Sequence, residues 1–255
     1  MRDLTKLLLS LFALLIIFVI ASEGAIITDT GKRWDYVVIG DFVLRGVVDE
    51  YEKIIEDDLG VKVNTHRWIM SSSSSSELLE KLKTNSRLRR ELTEAEIIVF
   101  QIPWNGWEAP MRMYETGDEG TCGGPENQDC LATICDTYKS DTVAIFAEIV
   151  SLKSPSSAII RTMDTYQYQA RESKEAGTFE VINRYWWDAN ESIWEEAQRY
   201  GLVVAPVYEA FMGETGLDDP IEKGLLFDSF RTTPEGNKLI AELFRETGFE
   251  PFVIG

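Results

Sequence analysis

From residue 36 onward, short apolar runs alternate with amphipathic stretches. Tyr36-Val-Val-Ile-Gly40 is a compact β-type run, and in Val43–Ile55 the apolar residues Val43, Leu44, Val47, Val48, Tyr51, Ile54 and Ile55 recur at helical spacing. Val61–Trp68 alternates and predicts a second strand. Glu77–Leu88 predicts a helix whose start draws caps from the serine run Ser71–Ser76. Ile97–Ile102 is a third strand, apolar enough to be buried on both faces. Pro103 to about Ala132 then shows no periodicity and predicts a Cys-containing insertion at about 103–136. Thr137–Leu152 reads as a helix, Ser157–Met163 as a fourth strand, Phe179–Tyr200 as a long amphipathic helix and Leu202–Val207 as a fifth strand. Pro234–Thr247 closes the chain as a helix with proline in its first turn and Gly248 after its end.

Strands alternating with helices imply βαβ crossovers, hence an α/β fold of three layers (α/β/α) around a doubly wound, mostly parallel, five-stranded sheet. In such sheets the ligand site lies at the carboxyl ends of the strands. The residues to examine are therefore Asp41 and Phe42, the serine run, Pro103 to Gly106, and Asp164.

The N-terminus has a different character. Arg2 and Lys6 precede an apolar stretch from Leu7 to Ile20, broken only by Ser10. That is the length of a signal-peptide core and short for a bilayer span. Val19 and Ala21 supply small residues at cleavage spacing, so residues 1–21 read as a signal peptide, 22–34 as a linker and 35–255 as one domain. A retained membrane anchor over residues 7–21 is the alternative. The expected location is secreted or extracytoplasmic, with membrane contact only through this segment.

The 255 residues are 44% hydrophobic, which supplies one sizeable core. The formal charge is −18, and cleavage after Ala21 removes Arg2, Lys6 and Asp3 and leaves −19. A surface that negative repels phosphate backbones, so nucleic acid is not an expected partner. Cys122, Cys130 and Cys135 predict one disulfide and one remaining thiol in an oxidising compartment, with the pairing open. Without a neighbouring histidine or a close cysteine pair, a metal site is disfavoured, and no cofactor is expected. Asn190-Glu-Ser192 matches a glycosylation sequon.

The strand-end residues resemble the blocks of the SGNH (GDSL-type) hydrolases, esterases and lipases of flavodoxin-like fold. Val37-Val-Ile-Gly-Asp41-Phe42 resembles the first block, in which Gly-Asp precedes the nucleophilic serine. Val99-Phe-Gln-Ile-Pro-Trp-Asn105-Gly resembles the third, where a Gly-x-Asn supplies an oxyanion-hole amide. Asp228-Ser-Phe-Arg231, followed by Thr-Thr-Pro-Glu-Gly236, resembles the last, an Asp-x-x-His before the closing helix. The resemblance implies acyl- or acetyl-ester hydrolysis by a Ser-His-Asp mechanism.

The departures fall on the chemistry. Phe42 stands at the nucleophile position and Arg231 at the base position; Asn105 and Asp228, the oxyanion donor and the triad acid, are kept. The second-block glycine falls near Ser72 and the third-block glycine is Pro103. Phenylalanine has no nucleophilic atom, and arginine stays protonated and cannot accept a proton. Losing such a residue costs about six orders of magnitude in rate. His66, the only histidine, lies far in sequence from Asp228.

Each candidate also has a structural reading. Asp41 can cap the turn after its strand, Asn105 can satisfy loop backbone, and Asp228 with Arg231 can form a local ion pair rather than an anion site. Trp104 and Trp107, flanking Asn105, could stack on a sugar or acyl chain, whereas Trp186, Trp187 and Trp194 read as core packing. The expected partner is a small-molecule, acyl-ester or glycan ligand. An unorthodox active esterase and a non-catalytic cell-surface binding module are the alternatives.

Overall fold

Arg33–Gly40 forms β1, whose last five residues, Tyr36 to Gly40, are buried. A strand apolar on both faces must lie inside a sheet covered on both sides. The computed structural model describes residues 25–26, 33–117 and 120–253. The expected signal segment and most of the linker lie outside the described residues.

The other strands are β2 (Lys62–Ile69), β3 (Ile97–Phe100), β4 (Ile159–Met163) and β5 (Val203–Ala205). All pair in parallel in the order β2-β1-β3-β4-β5. The register sets Val38 beside Val99, Val99 beside Arg161 and Thr162 beside Val204. This is the doubly wound order expected, with its reversal between β1 and β3. A separate two-residue pair joins Ala25–Ile26 to Phe252–Val253.

Helices α1 (Leu44–Leu59) and α9 (Pro234–Glu246) pack together on one face. On the other face lie α2 (Ser75–Thr84), α3 (Ser86–Glu94), α5 (Asp129–Leu152) and α7 (Phe179–Tyr200), as right-handed crossovers require. The short helices α4 (Glu108–Glu115), α6 (Ala170–Ala176) and α8 (Val207–Met212) sit in the connections.

Three elements differ from expectation. The single helix over Glu77–Leu88 is two, because Asn85 is extended and its side chain caps α3 by accepting from the Leu88 N–H at 3.0 Å. Ser74 caps α2 in a reciprocal box with Glu77. The aperiodic stretch after β3 holds α4, and α5 begins at Asp129 rather than Thr137. The strand over Leu202–Val207 ends at Ala205, and Pro206 turns the chain into α8.

Cys122 and Cys130 form the disulfide, across the loop that leads into α5. Cys135 stays a buried thiol whose pKa burial and the Asp188 carboxylate push up to about 12. Among the described residues, no helix is long and apolar enough to cross a membrane, and no group of ligands could hold a metal ion.

Candidate active site

The chain leaves β1 through Gly40 and Asp41 and enters α1 at Leu44. A side chain at Gly40 would put its Cβ 2.8 Å from Leu44 Cδ1 and 2.9 Å from Gln101 Oε1, so any larger residue would have to displace these two side chains. Asp41 is buried, and its Oδ1 accepts the Val43 N–H at 2.9 Å, which closes the turn. Its Oδ2 accepts the Tyr168 hydroxyl at 3.2 Å. The Asp41 N–H in turn donates to Gln101 Oε1 at 2.9 Å. Burial raises the Asp41 carboxyl to about 6, against the lowering effect of these bonds. Asp41 staples the turn between β1 and α1 to the end of β3.

Phe42 follows at the β1–β3 reversal, half-buried, its ring centroid 5.9 Å from that of Tyr168. The two rings, with Trp104, Asn105, Trp107 and Phe230, line a cavity of about 40 Å³. That volume holds a water molecule or two, whereas small-molecule pockets run to roughly 300–1,000 Å³.

The tryptophans expected to stack on a ligand pack into the core instead. Trp104 is sandwiched between Trp186 (3.9 Å between centroids) and Tyr138 (4.2 Å), and Trp107 packs on Trp186 at 5.4 Å. Both are buried, and their indole N–H groups have no acceptor among the described residues.

Asn105 begins a single 3-10 turn, Asn105–Trp107, and one of its amide hydrogens goes to the Ser72 carbonyl at 2.8 Å. The structure thus joins the loops after β2 and β3, as a loop asparagine satisfying backbone does. Elsewhere in the serine run, the Ser75 and Ser76 hydroxyls both donate to Asp141 Oδ2, at 2.7 and 2.6 Å.

Asp228 and Arg231 lie on the loop before α9. Asp228 Oδ1 accepts the Phe230 and Arg231 N–H groups at 3.0 and 2.8 Å, and Oδ2 receives Arg231 Nε at 2.7 Å and Nη2 at 2.6 Å. Partial burial raises the Asp228 carboxyl, but the bonds from Arg231 and Phe230 outweigh it and hold the group below its ordinary value. The guanidinium is 72% exposed, and neither residue lines the cavity; Phe230, between them, does.

His66 is engaged elsewhere. It pairs with Val37 on the edge strand β2, three residues and roughly 10 Å short of the carboxyl end. Its ring nitrogens sit 2.9 Å from Asp35 Oδ1 and 3.4 Å from Glu91 Oε1.

The structure therefore gathers Asp41, Phe42, Ser72, Trp104 and Asn105 at the β1–β3 reversal and leaves the Asp228–Arg231 pair facing solvent. Sequence reasoning missed Gln101, Tyr168 and Trp186. Gln101, a polar residue ending an apolar strand run, carried the one usable signal.

The same arrangement of sheet and helices recurs in solved structures. The lipase Lip_vut3 from a goat rumen metagenome matches with a TM-score of 0.67 at 16% identity, over 85% of this chain and 98% of that one. A GDSL-like lipase from Parabacteroides merdae matches at 0.60 and 14%, over 85% and 95%. This chain has the SGNH hydrolase fold. The acetylxylan esterase Axe2 from Geobacillus stearothermophilus shares it, with a TM-score of 0.59 at 14% identity over 86% and 96%. By sequence, no family model and no curated protein matches the chain.

In the SGNH fold the reversal point between β1 and β3 is where a ligand crevice belongs. Here it presents an aromatic wall. The groups there can hold a turn and exclude water; an oxygen nucleophile beside a neutral imidazole is missing from the set.

Proposed function

We propose that this chain is an exported SGNH-fold protein that does not hydrolyse esters by the Ser-His-Asp route. The observation that carries this reading is Phe42, at the end of β1 and packed on Tyr168, which reduces the crevice to about 40 Å³. The exposed Asp228–Arg231 pair supports it, because a guanidinium held by a carboxylate cannot relay a proton. So does the sole histidine, fixed between two carboxylates on the edge strand.

Export rests on the apolar segment at residues 7–20 and is supported by the disulfide, since such bridges persist in oxidising compartments. The role left to the protein is that of a binding or scaffold module at the cell exterior.

The test is hydrolysis of p-nitrophenyl acetate and acetylated xylooligosaccharides by the mature chain and by the Phe42→Ser/Arg231→His double variant. The reading expects no turnover by the unaltered chain and slow turnover of the smallest acyl ester by the double variant. Turnover by the unaltered chain that survives Phe42→Ala would overturn it.

A further inference from the structure

Helix α7 has two aromatic faces. Trp186 points into the core, but Trp187 and Trp194 are 52% and 41% exposed, contrary to the core packing expected of them. Trp187, Asn190, Glu191 and Trp194 follow i, i+3, i+4, i+7 spacing and so share one stripe, on which Asn190 is buried and the two tryptophans are exposed. A single exposed apolar side chain is ordinary, but two half-exposed tryptophans on one stripe make a patch.

The stripe forms one wall of an open groove of about 290 Å³, whose other side is Asp164, Pro206 and Glu209 at the carboxyl ends of β4 and β5. The groove is separate from the closed crevice at Phe42, and the two share no lining residue.

Its parts are fixed in place. The Trp194 indole N–H donates to Asp164 Oδ2 at 3.0 Å, and the Tyr208 N–H donates to Asp164 Oδ1 at 2.8 Å. The Trp187 ring stands edge-on to Tyr208, with centroids 5.1 Å apart. Asn190 is buried and clamps the Thr165 backbone, accepting its N–H at 3.0 Å and donating to its carbonyl at 2.9 Å.

Charge selects the ligand. Three carboxylates line the groove, at Asp164, Glu191 and Glu209, and no lysine or arginine does. Burial raises the Asp164 carboxyl to about 6, and the Glu209 charge pushes the same way. A bound cation would relieve both effects, while an anion would be repelled. Indole faces attract cations through the ring quadrupole, most strongly those that shed their hydration easily. The volume, about 290 Å³, falls just below the roughly 300–1,000 Å³ found for small-molecule pockets.

We propose that this groove binds a small organic cation carrying a quaternary ammonium group, seated between Trp187 and Trp194 above the Asp164 and Glu209 carboxylates. The site stands on its own geometry and holds whether or not the chain hydrolyses esters.

Titration of the mature chain with choline and with tetramethylammonium, followed by tryptophan fluorescence and calorimetry, tests it. The controls are 3,3-dimethylbutanol, the neutral isostere of choline, and xylose. Both cations are expected to saturate one site, with the neutral isostere at least about tenfold weaker. Trp187→Ala and Glu209→Gln are expected to weaken choline binding about tenfold, and Trp187→Phe to keep most of it. Both side chains are exposed, and unchanged thermal unfolding of the variants confirms that they fold. Co-sedimentation with phosphatidylcholine vesicles, reduced by Trp187→Ala, identifies the source as a lipid headgroup; cation binding without co-sedimentation identifies a free ligand. Absence of saturable binding by either cation, equal binding of the neutral isostere, or binding untouched by both substitutions would overturn the proposal.

Discussion

The Tyr168 hydroxyl donates to the buried Asp41 carboxylate at 3.2 Å, 127 residues away in sequence. This bond ties the segment after β4 to the turn after β1 and holds the Tyr168 ring against Phe42. The raised Asp41 pKa has one origin, burial of its carboxylate at the turn beside the closed crevice.

That origin gives a pH dependence of a particular sign. Asp41 and Asp164 are both raised from 3.8 to about 6, so the folded state binds their protons more tightly than the unfolded chain. Their contribution is fully present below pH 4 and is lost as pH rises through 6. Each shift of about two units corresponds to roughly 3 kcal/mol at most. In urea unfolding, stability is expected to fall between about pH 4 and 6.5 and to level off above that, and Asp41→Asn is expected to remove about half of that slope. The asparagine can still accept from Val43. An unchanged slope in the variant would show that Asp41 carries no such linkage.

Phe42 is a packing residue and not a spare one. Phe42→Ala is expected to lower unfolding stability by about 1–3 kcal/mol, less than a fully buried phenylalanine costs because the ring is half-buried. Denaturant midpoints measure this directly. A neutral substitution would mean that the ring does not seal the crevice.

The disulfide assignment is open to a simple count. Alkylation in denaturant without reductant should modify one thiol, Cys135, and with reductant three. The Cys122→Ser/Cys130→Ser variant should lose about 2–3 kcal/mol, the value for a short closed loop. Two reactive thiols at positions 122 and 130 in the non-reduced chain would contradict the pairing.

The sequon is expected to stay unmodified in the folded protein. Asn190 is 1% exposed, and its amide nitrogen donates to the Thr165 carbonyl. Peptide mapping after secretion from a glycosylating host should find Asn190 bare. A glycan there would require the segment from Asp164 to Thr165 to pack differently.

Much of the fold was legible in the sequence because burial on both faces leaves a plain mark. Tyr36–Gly40 and Ile97–Ile102 read as strands since their apolar runs have no other use, and Phe179–Tyr200 matched its helix end to end. The break at Asn85 was not legible, because one capping side chain decides between one helix and two. Nor was α4, whose eight residues are too few for periodicity to show.

The site divides in the same way. Strand ends located Asp41, Phe42, Trp104 and Asn105 together, as topology alone demands. Trp187 and Trp194 read as core with Trp186 on aromatic character, although i, i+7 spacing sets them on a stripe of α7 apart from Trp186 and Ile193. The Asp228–Arg231 ion pair was legible, since i, i+3 spacing puts the two charges within reach of each other.

The proposal leaves no serine to replace Phe42 as a nucleophile. Intact-mass analysis of the mature chain after exposure to a serine-directed fluorophosphonate tests it most directly, with p-nitrophenyl acetate turnover measured in parallel. The expected result is an unmodified mass and turnover equal to that of Phe42→Ala. A stoichiometric adduct on a serine, at Ser72 or anywhere else in the 71–76 run, that abolishes measurable turnover would contradict it.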